Sequence, residues 1–173
     1  MSYPRDLSLV PSEAGGWLLA SAPSPEVSAI RGEELLKKSF RLNGGKTLKF
    51  SSEEAYEILL SATGNHSDAV RVSLENEAGE KCLITIDYAG RRVVFNRNAS
   101  GLTDFHKDFP AETFCTLPSV DVDLRLLVDK YSVELFVDGG TYVMTNLVFP
   151  EAPYNTIRMK GRTEKVNIQV NAM

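Results

Sequence analysis

Apolar and polar residues alternate with a period of two through most of this 173-residue chain, and that period limits what it can become. In AVRVSLE, Val70, Val72 and Leu74 share one face while Arg71, Ser73 and Glu75 share the other. The stretch CLITIDY places Cys82, Ile84, Ile86 and Tyr88 together, and the C-terminal run alternates Val166, Ile168 and Val170 with Asn167, Gln169 and Asn171. Successive side chains of a strand point to opposite sides, so such patterns mark half-buried strands of antiparallel sheets. Turn-forming pairs separate them: Asn43-Gly44-Gly45, Gly64-Asn65, Ala78-Gly79, Ser100-Gly101 and Asp138-Gly139-Gly140.

About twelve candidate strands are too many for one open sheet that must also bury a face. Two packed layers satisfy the pattern, so the expected fold is all-β, a two-sheet antiparallel β-sandwich of the jelly-roll or concanavalin A-like type. One stretch departs from the rule. Glu33, Glu34, Lys37 and Lys38 sit at helical charge-pair spacing, which predicts at most a short helix near 33–39. The segments PSEAGG and APSP near the start read as connecting chain.

A hydrophobic content of 43% and a charged content of 24% suit one globular domain over residues 1–173. The formal charge of −4 gives no basic field for nucleic acid or an anionic membrane surface. No apolar run reaches the roughly 18 residues that a spanning helix requires. MSYPRDLSLVPSEAGGWLLA lacks the basic-then-apolar order of a leader, so none is expected in it. Cys82 and Cys115 lie in apolar surroundings and read as buried free thiols. His66 and His106 each stand alone in a polar turn, and no paired histidine or cysteine spacing exists, so neither a metal nor another cofactor is expected.

The densest signal is DLRLLVDKYSVELFVDGGTYVMTNLVFP, residues 123–150, which reads as three strands joined by tight turns. Val133, Leu135 and Val137 take the inward face, leaving Glu134 and Phe136 on the other. Glu134 is therefore expected as a solvated or interface carboxylate rather than a catalytic one. Phe136, a large apolar residue on the otherwise polar side, marks that face as a candidate interface.

These residues also carry a resemblance. The 124–150 stretch is similar to the C-terminal signature of glycoside hydrolase family 32, the β-fructosidases: invertases, levanases, inulinases and sucrose hydrolases. DYAGRRVVFNRNASGLTDF resembles the family's tyrosine–aspartate strand and the Asp-Arg and Ser-Gly that follow, with Asn96 where an aspartate is usual. MSYPRDLSL resembles the Pro-Arg-Glu-Leu segment by which the family's chain leaves its catalytic domain, with Asp6 in place of glutamate.

The resemblance implies that catalysis occurs elsewhere. The family's active site lies in an N-terminal five-bladed propeller, on an aspartate in Trp-Met-Asn-Asp-Pro-Asn-Gly, another in Arg-Asp-Pro and a glutamate in Glu-Cys; none of these motifs occurs here. A retaining glycosidase needs two carboxyl groups about 5–5.5 Å apart, and the residues the family uses for them are absent. No catalytic residue is assigned. Residues 1–15 then read as the segment arriving from the propeller, Met1 as internal to a longer protein, and Arg5, Glu134 and Phe136 as the interdomain contact. The expected partner is that propeller, with fructan or sucrose as the parent enzyme's substrate, and the parent's address stays open between secreted and cytoplasmic. An autonomous fructan-binding module is the alternative, with Tyr131, at a turn tip, as the ring on which a sugar would stack.

Overall fold

The computed structural model describes residues 2–12 and 15–173; Met1, Glu13 and Ala14, the latter two in the expected connecting stretch, fall outside them. An N-terminal hairpin comes first, β1 (Arg5–Pro11) with β2 (Trp17–Pro23), followed by a single-turn helix α1 (Pro25–Ala29). Ten strands follow: β3 (Glu34–Lys49), β4 (Tyr56–His66), β5 (Ala69–Glu75), β6 (Lys81–Asp87), β7 (Arg92–Ala99), β8 (Glu112–Thr116), β9 (Val122–Asp129), β10 (Ser132–Val137), β11 (Tyr142–Leu147) and β12 (Thr156–Ala172). The all-β architecture is the one that the alternation dictates.

Two long strands make the sandwich. β3 pairs with β12 along nearly its whole length. The first part of β12, Thr156–Lys160, also pairs with β5, while its later part, from Lys165 to Ala172, pairs with β4. Between them Gly161 faces Gly44 across the ladder, at φ +141 and +95 respectively. A β-carbon on Gly161 would stand 2.8 Å from the Ala69 carbonyl oxygen, so the bend has no room for a side chain. A register shift between Thr163 and Val166 completes the turn. One hydrogen-bonded ladder thus folds over into a front layer, β11-β10-β9-β4-β12-β3, and a back layer, β3-β12-β5-β6-β7-β8, with β3 and β12 shared by both.

The inward faces of both layers meet in one core. Val133, Leu135 and Val137 of β10, with Ile58 and Leu126, pack in the cluster that holds Ile84, Ile86, Val93 and Phe95 of the back layer. The edge strands β11 and β8 approach each other, joined by an Asn146–Thr113 side-chain hydrogen bond of 3.2 Å. Cys82 is buried and Cys115 half-buried, both as free thiols. Burial raises their pKa values to about 12 and about 11, against a weak hydrogen bond from Cys82 to the Tyr154 hydroxyl and a backbone contact at Cys115.

The helix expected near 33–39 is absent. Residues 34–49 are strand, and the helical turn lies upstream at 25–29, with Pro25 at its first position. Each charge pair in an isolated helix contributes only about 0.2–0.5 kcal/mol. A continuous ladder with β12 that buries Leu42 and Leu48 outweighs that, and the Glu34–Lys37 pair survives on the strand at 3.5 Å.

Leu135 has no exposed surface. Its burial contributes about 1.5–3 kcal/mol by transfer, and an aspartate in its place adds an unpaired charge to the core. Leu135→Asp is expected to abolish cooperative thermal unfolding of the isolated chain. A variant melting cooperatively within a few degrees of wild type would contradict the assignment of the inward face.

Candidate functional site: two buried carboxylates on the front layer

The outward side of the front layer was expected to meet solvent or to serve as an interface; much of it is sealed. One rung of the ladder runs Asn171 (β12), Glu57 (β4), Leu127 (β9), Glu134 (β10) and Thr145 (β11). Both glutamates and Leu127 are buried, Glu134 with no exposed surface at all. Of the two expectations for Glu134, a solvated or an interface carboxylate, the solvated one does not hold. Alternation gives the direction of a side chain but not what the rest of the chain lays over it.

The N-terminal segment lies over Glu134. The Tyr3 backbone N–H donates to one carboxylate oxygen at 2.9 Å, and Arg5 Nη2 donates to the other at 2.5 Å. The same Arg5 nitrogen donates to Thr145 Oγ1 at 2.7 Å, and the guanidinium sits 5.1 Å over the Phe136 ring. Val27 of α1, Leu127 and Phe136 form a small apolar cluster with Tyr3, Val143 and Met173 against it. Burial, then the charges of Asp129 and Glu134, push the Tyr3 phenol above its ordinary pKa. Arg5, Glu134 and Phe136, singled out in the sequence, are thus brought together by contacts within the chain itself.

Glu57 was not singled out. It accepts from Arg31 Nε at 2.5 Å and from Asn171 Nδ2 at 3.1 Å, and its other oxygen lies 2.6 Å from Arg125 Nε. Arg125 Nη2 donates to Ser28 Oγ at 3.2 Å, which ties α1 to the sheet. The hydrogen bond to Glu57 pushes the Arg31 guanidinium above its ordinary pKa, outweighing the opposing effect of partial burial. The sequence signal was slight: a lone glutamate among Tyr56, Ile58 and Leu60, with its two arginines 26 and 68 positions away on other elements.

The hairpin is held at a second point. Asp138–Gly140 turns β10 into β11, and a β-carbon on Gly140 would lie 2.5 Å from the Ser21 carbonyl oxygen. β2 therefore crosses tightly over that turn, which a sequence reading assigns only to hairpin geometry. The hairpin's far face carries Leu7, Leu9, Trp17 and Leu19, each more than 60% exposed. Tyr131, at the β9–β10 turn, is half exposed, with its ring 5.9 Å from that of Phe149. It lies outside the carboxylate row. Asn96, where the family resemblance breaks, donates to Glu112 Oε1 at 2.7 Å.

A folded-over antiparallel ladder whose outward carboxylates bind Arg5, Arg31 and Arg125 defines a sandwich that holds its own N-terminal segment against the front layer. Comparison with known proteins gives the lineage. The family model for "Glycosyl hydrolases family 32 C terminal" matches residues 26–172, and the chain belongs to that family. A levanase of Bacillus sp. (strain L7) is 30% identical over a match covering 100% of this chain and 20% of that protein. A sucrose-6-phosphate hydrolase of Zymomonas mobilis is 25% identical, covering 94% of this chain and 30% of its own length. The crystal structure of exo-inulinase from Aspergillus awamori superposes with a TM-score of 0.89 at 23% identity, covering 100% of this chain and 35% of that one. The chain thus spans between a fifth and about a third of these relatives.

Removing one partner of a buried ion pair costs about 3–5 kcal/mol when the other is left sealed and unpaired. Arg5 keeps 23% of its side chain exposed and can turn to water, whereas Glu134 cannot. Arg5→Ala is therefore expected to cost more stability than Glu134→Gln, which keeps an acceptor for the Tyr3 N–H. Urea unfolding of both variants checks this, and the reverse order would contradict the geometry.

Proposed function

We propose that this chain is the non-catalytic accessory sandwich of a fructan- or sucrose-hydrolysing glycosidase, packing against a catalytic propeller that precedes it and stabilising that domain. The observation that carries the reading is the Glu134 contact. Tyr3 and Arg5 lie outside the segment matched by the family model, Glu134 lies inside it, and a buried ion pair joins them. A segment leading in from an upstream domain would be fixed on the front layer at that point, with residues 1–15 as its approach.

Two further features support it. The relatives named levanase and sucrose-6-phosphate hydrolase extend well beyond the matched portion. The hairpin face of Leu7, Leu9, Trp17 and Leu19 is an exposed apolar patch of the kind that a neighbouring domain covers. A catalytic role for Glu57 or Glu134 is poorly supported by their surroundings. A glycosidase's acid and nucleophile must reach substrate, and both of these carboxylates are sealed and bound to arginine.

The pure chain is expected to release no fructose from sucrose, levan or inulin above the buffer rate, measured by reducing-sugar or chromatographic assay. Release that is lost on Glu57→Gln or Glu134→Gln substitution would overturn the accessory role.

A further inference from the structure

The formal charge of −4 hides an uneven distribution. β3 carries five lysines and arginines and β12 carries four, each strand with one glutamate, so nine of the chain's 19 cations lie on one paired ladder. Strand alternation turns part of this charge onto the outward side of the back layer, opposite the face that holds the N-terminal segment. There Arg158, Lys160 and Arg162 occupy alternate positions of β12, all exposed. Arg71 of β5 is exposed too and stands directly opposite Lys160. Like charges directly opposite on neighbouring strands destabilise a sheet, and no acid is paired with either. The acids of the same face are already engaged. Glu75 accepts from Arg158 Nε at 3.1 Å, Asp87 from the Gly90 N–H at 2.8 Å and Arg92 Nε at 3.1 Å, and Glu112 from Asn96. Among the described residues, Arg71, Lys160 and Arg162 enter no ion pair. Gly45 faces Lys160 from β3, where a β-carbon would meet nothing nearer than 3.9 Å. Crowding does not require a glycine there, and its bare backbone leaves an open shelf beside the row of cations.

We propose that this row binds an acidic polysaccharide, a linear sugar chain whose repeats carry carboxylate or sulfate groups. Alternate residues of a strand are about 6.8 Å apart, so Arg158, Lys160 and Arg162 set three cations along about 14 Å, with Arg71 doubling the middle one. A line of charges on an open sheet matches a line of anionic groups better than one compact anion. Neutral polar groups flank it for the sugar hydroxyls. Asn43 faces Arg162, Thr85 faces Arg71, and Thr47 faces Arg158 and accepts from its Nη1 at 3.4 Å. Single-stranded nucleic acid fits less well, because its bases require aromatic rings to stack on. The exposed ring on the Lys160 rung is Phe114, four strands away, or about 19 Å. An anionic membrane plane would also press its headgroups against Glu75, Asp87 and Glu112, whereas a narrow chain can follow the cations past them. The expectation of no basic field holds for the charge of the whole chain but not for this face, which exists only through the pairing of β12 with β5. Bound in this way, the chain would be held to an acidic matrix by the side opposite its N-terminal seat.

Calorimetric titration of the pure chain with polygalacturonate and with dextran sulfate at low ionic strength tests this, with uncharged dextran as the control. Saturable binding to the acidic polymers is expected, weakening steeply as salt rises, and none to dextran. Arg71→Glu and Lys160→Glu are each expected to weaken binding about tenfold or more. Their melting temperatures are expected to hold or rise, because each reversal turns the like-charge contact into an ion pair. No saturable binding to either acidic polymer, binding that both variants retain, equal binding of dextran, or tighter binding of a thymidine oligonucleotide or of phosphatidylserine vesicles would each overturn the assignment. A clear fall in melting temperature in both variants would contradict the like-charge contact on which it stands.

Discussion

A carboxylate with no exposed surface must be paired, because an isolated charge in a protein interior costs many kcal/mol. Glu134 is in that position on β10, and its partners are Tyr3 and Arg5 at the other end of the chain. Much of the front layer depends on this. If Arg5 were elsewhere, Phe136 would lose the cation over its ring and Thr145 a donor. The apolar cluster around Leu127 would lose Tyr3. Glu57 repeats the arrangement two strands away, recruiting Arg31 and Arg125. The two acids, with Leu127 between them, make the front layer a seat for the N-terminal segment and α1.

This seat lies on the sandwich's outside, and the inside is built separately. The core is formed by the fold-over of β3 and β12 at Gly44 and Gly161, which brings β4 and β5 onto the two layers from one continuous ladder. A long shared strand gives each layer a rigid edge without a disulfide, and the free thiols Cys82 and Cys115 accord with that. The outward face is therefore free to carry ion pairs without affecting the core.

The strands, the inward faces and the tight turn at 138–140 were legible because each is a local property: a period of two, or a glycine at positive φ. Val133, Leu135 and Val137 follow directly from alternation. Residues 33–39 misled because helical charge spacing is also local, while the ladder that overrides it comes from β12, more than a hundred positions away. Long range also hid the site. Alternation placed Glu134 and Phe136 outward correctly but could not show that Tyr3 and Arg5 return to cover them. Glu57, Arg31 and Arg125 gave no joint signal, because their encounter is made by register across β4, β9 and the loop after α1.

Amide hydrogen exchange at Tyr3 tests the central claim most directly, since that N–H lies outside any strand and donates to the buried carboxylate, and an unanchored amide there would exchange freely. The account predicts marked protection of the Tyr3 amide in the native chain. It also predicts that Glu134→Ala removes this protection while leaving the β4 and β12 amides slow. A Tyr3 amide exchanging at the unprotected rate in the wild-type chain would contradict it.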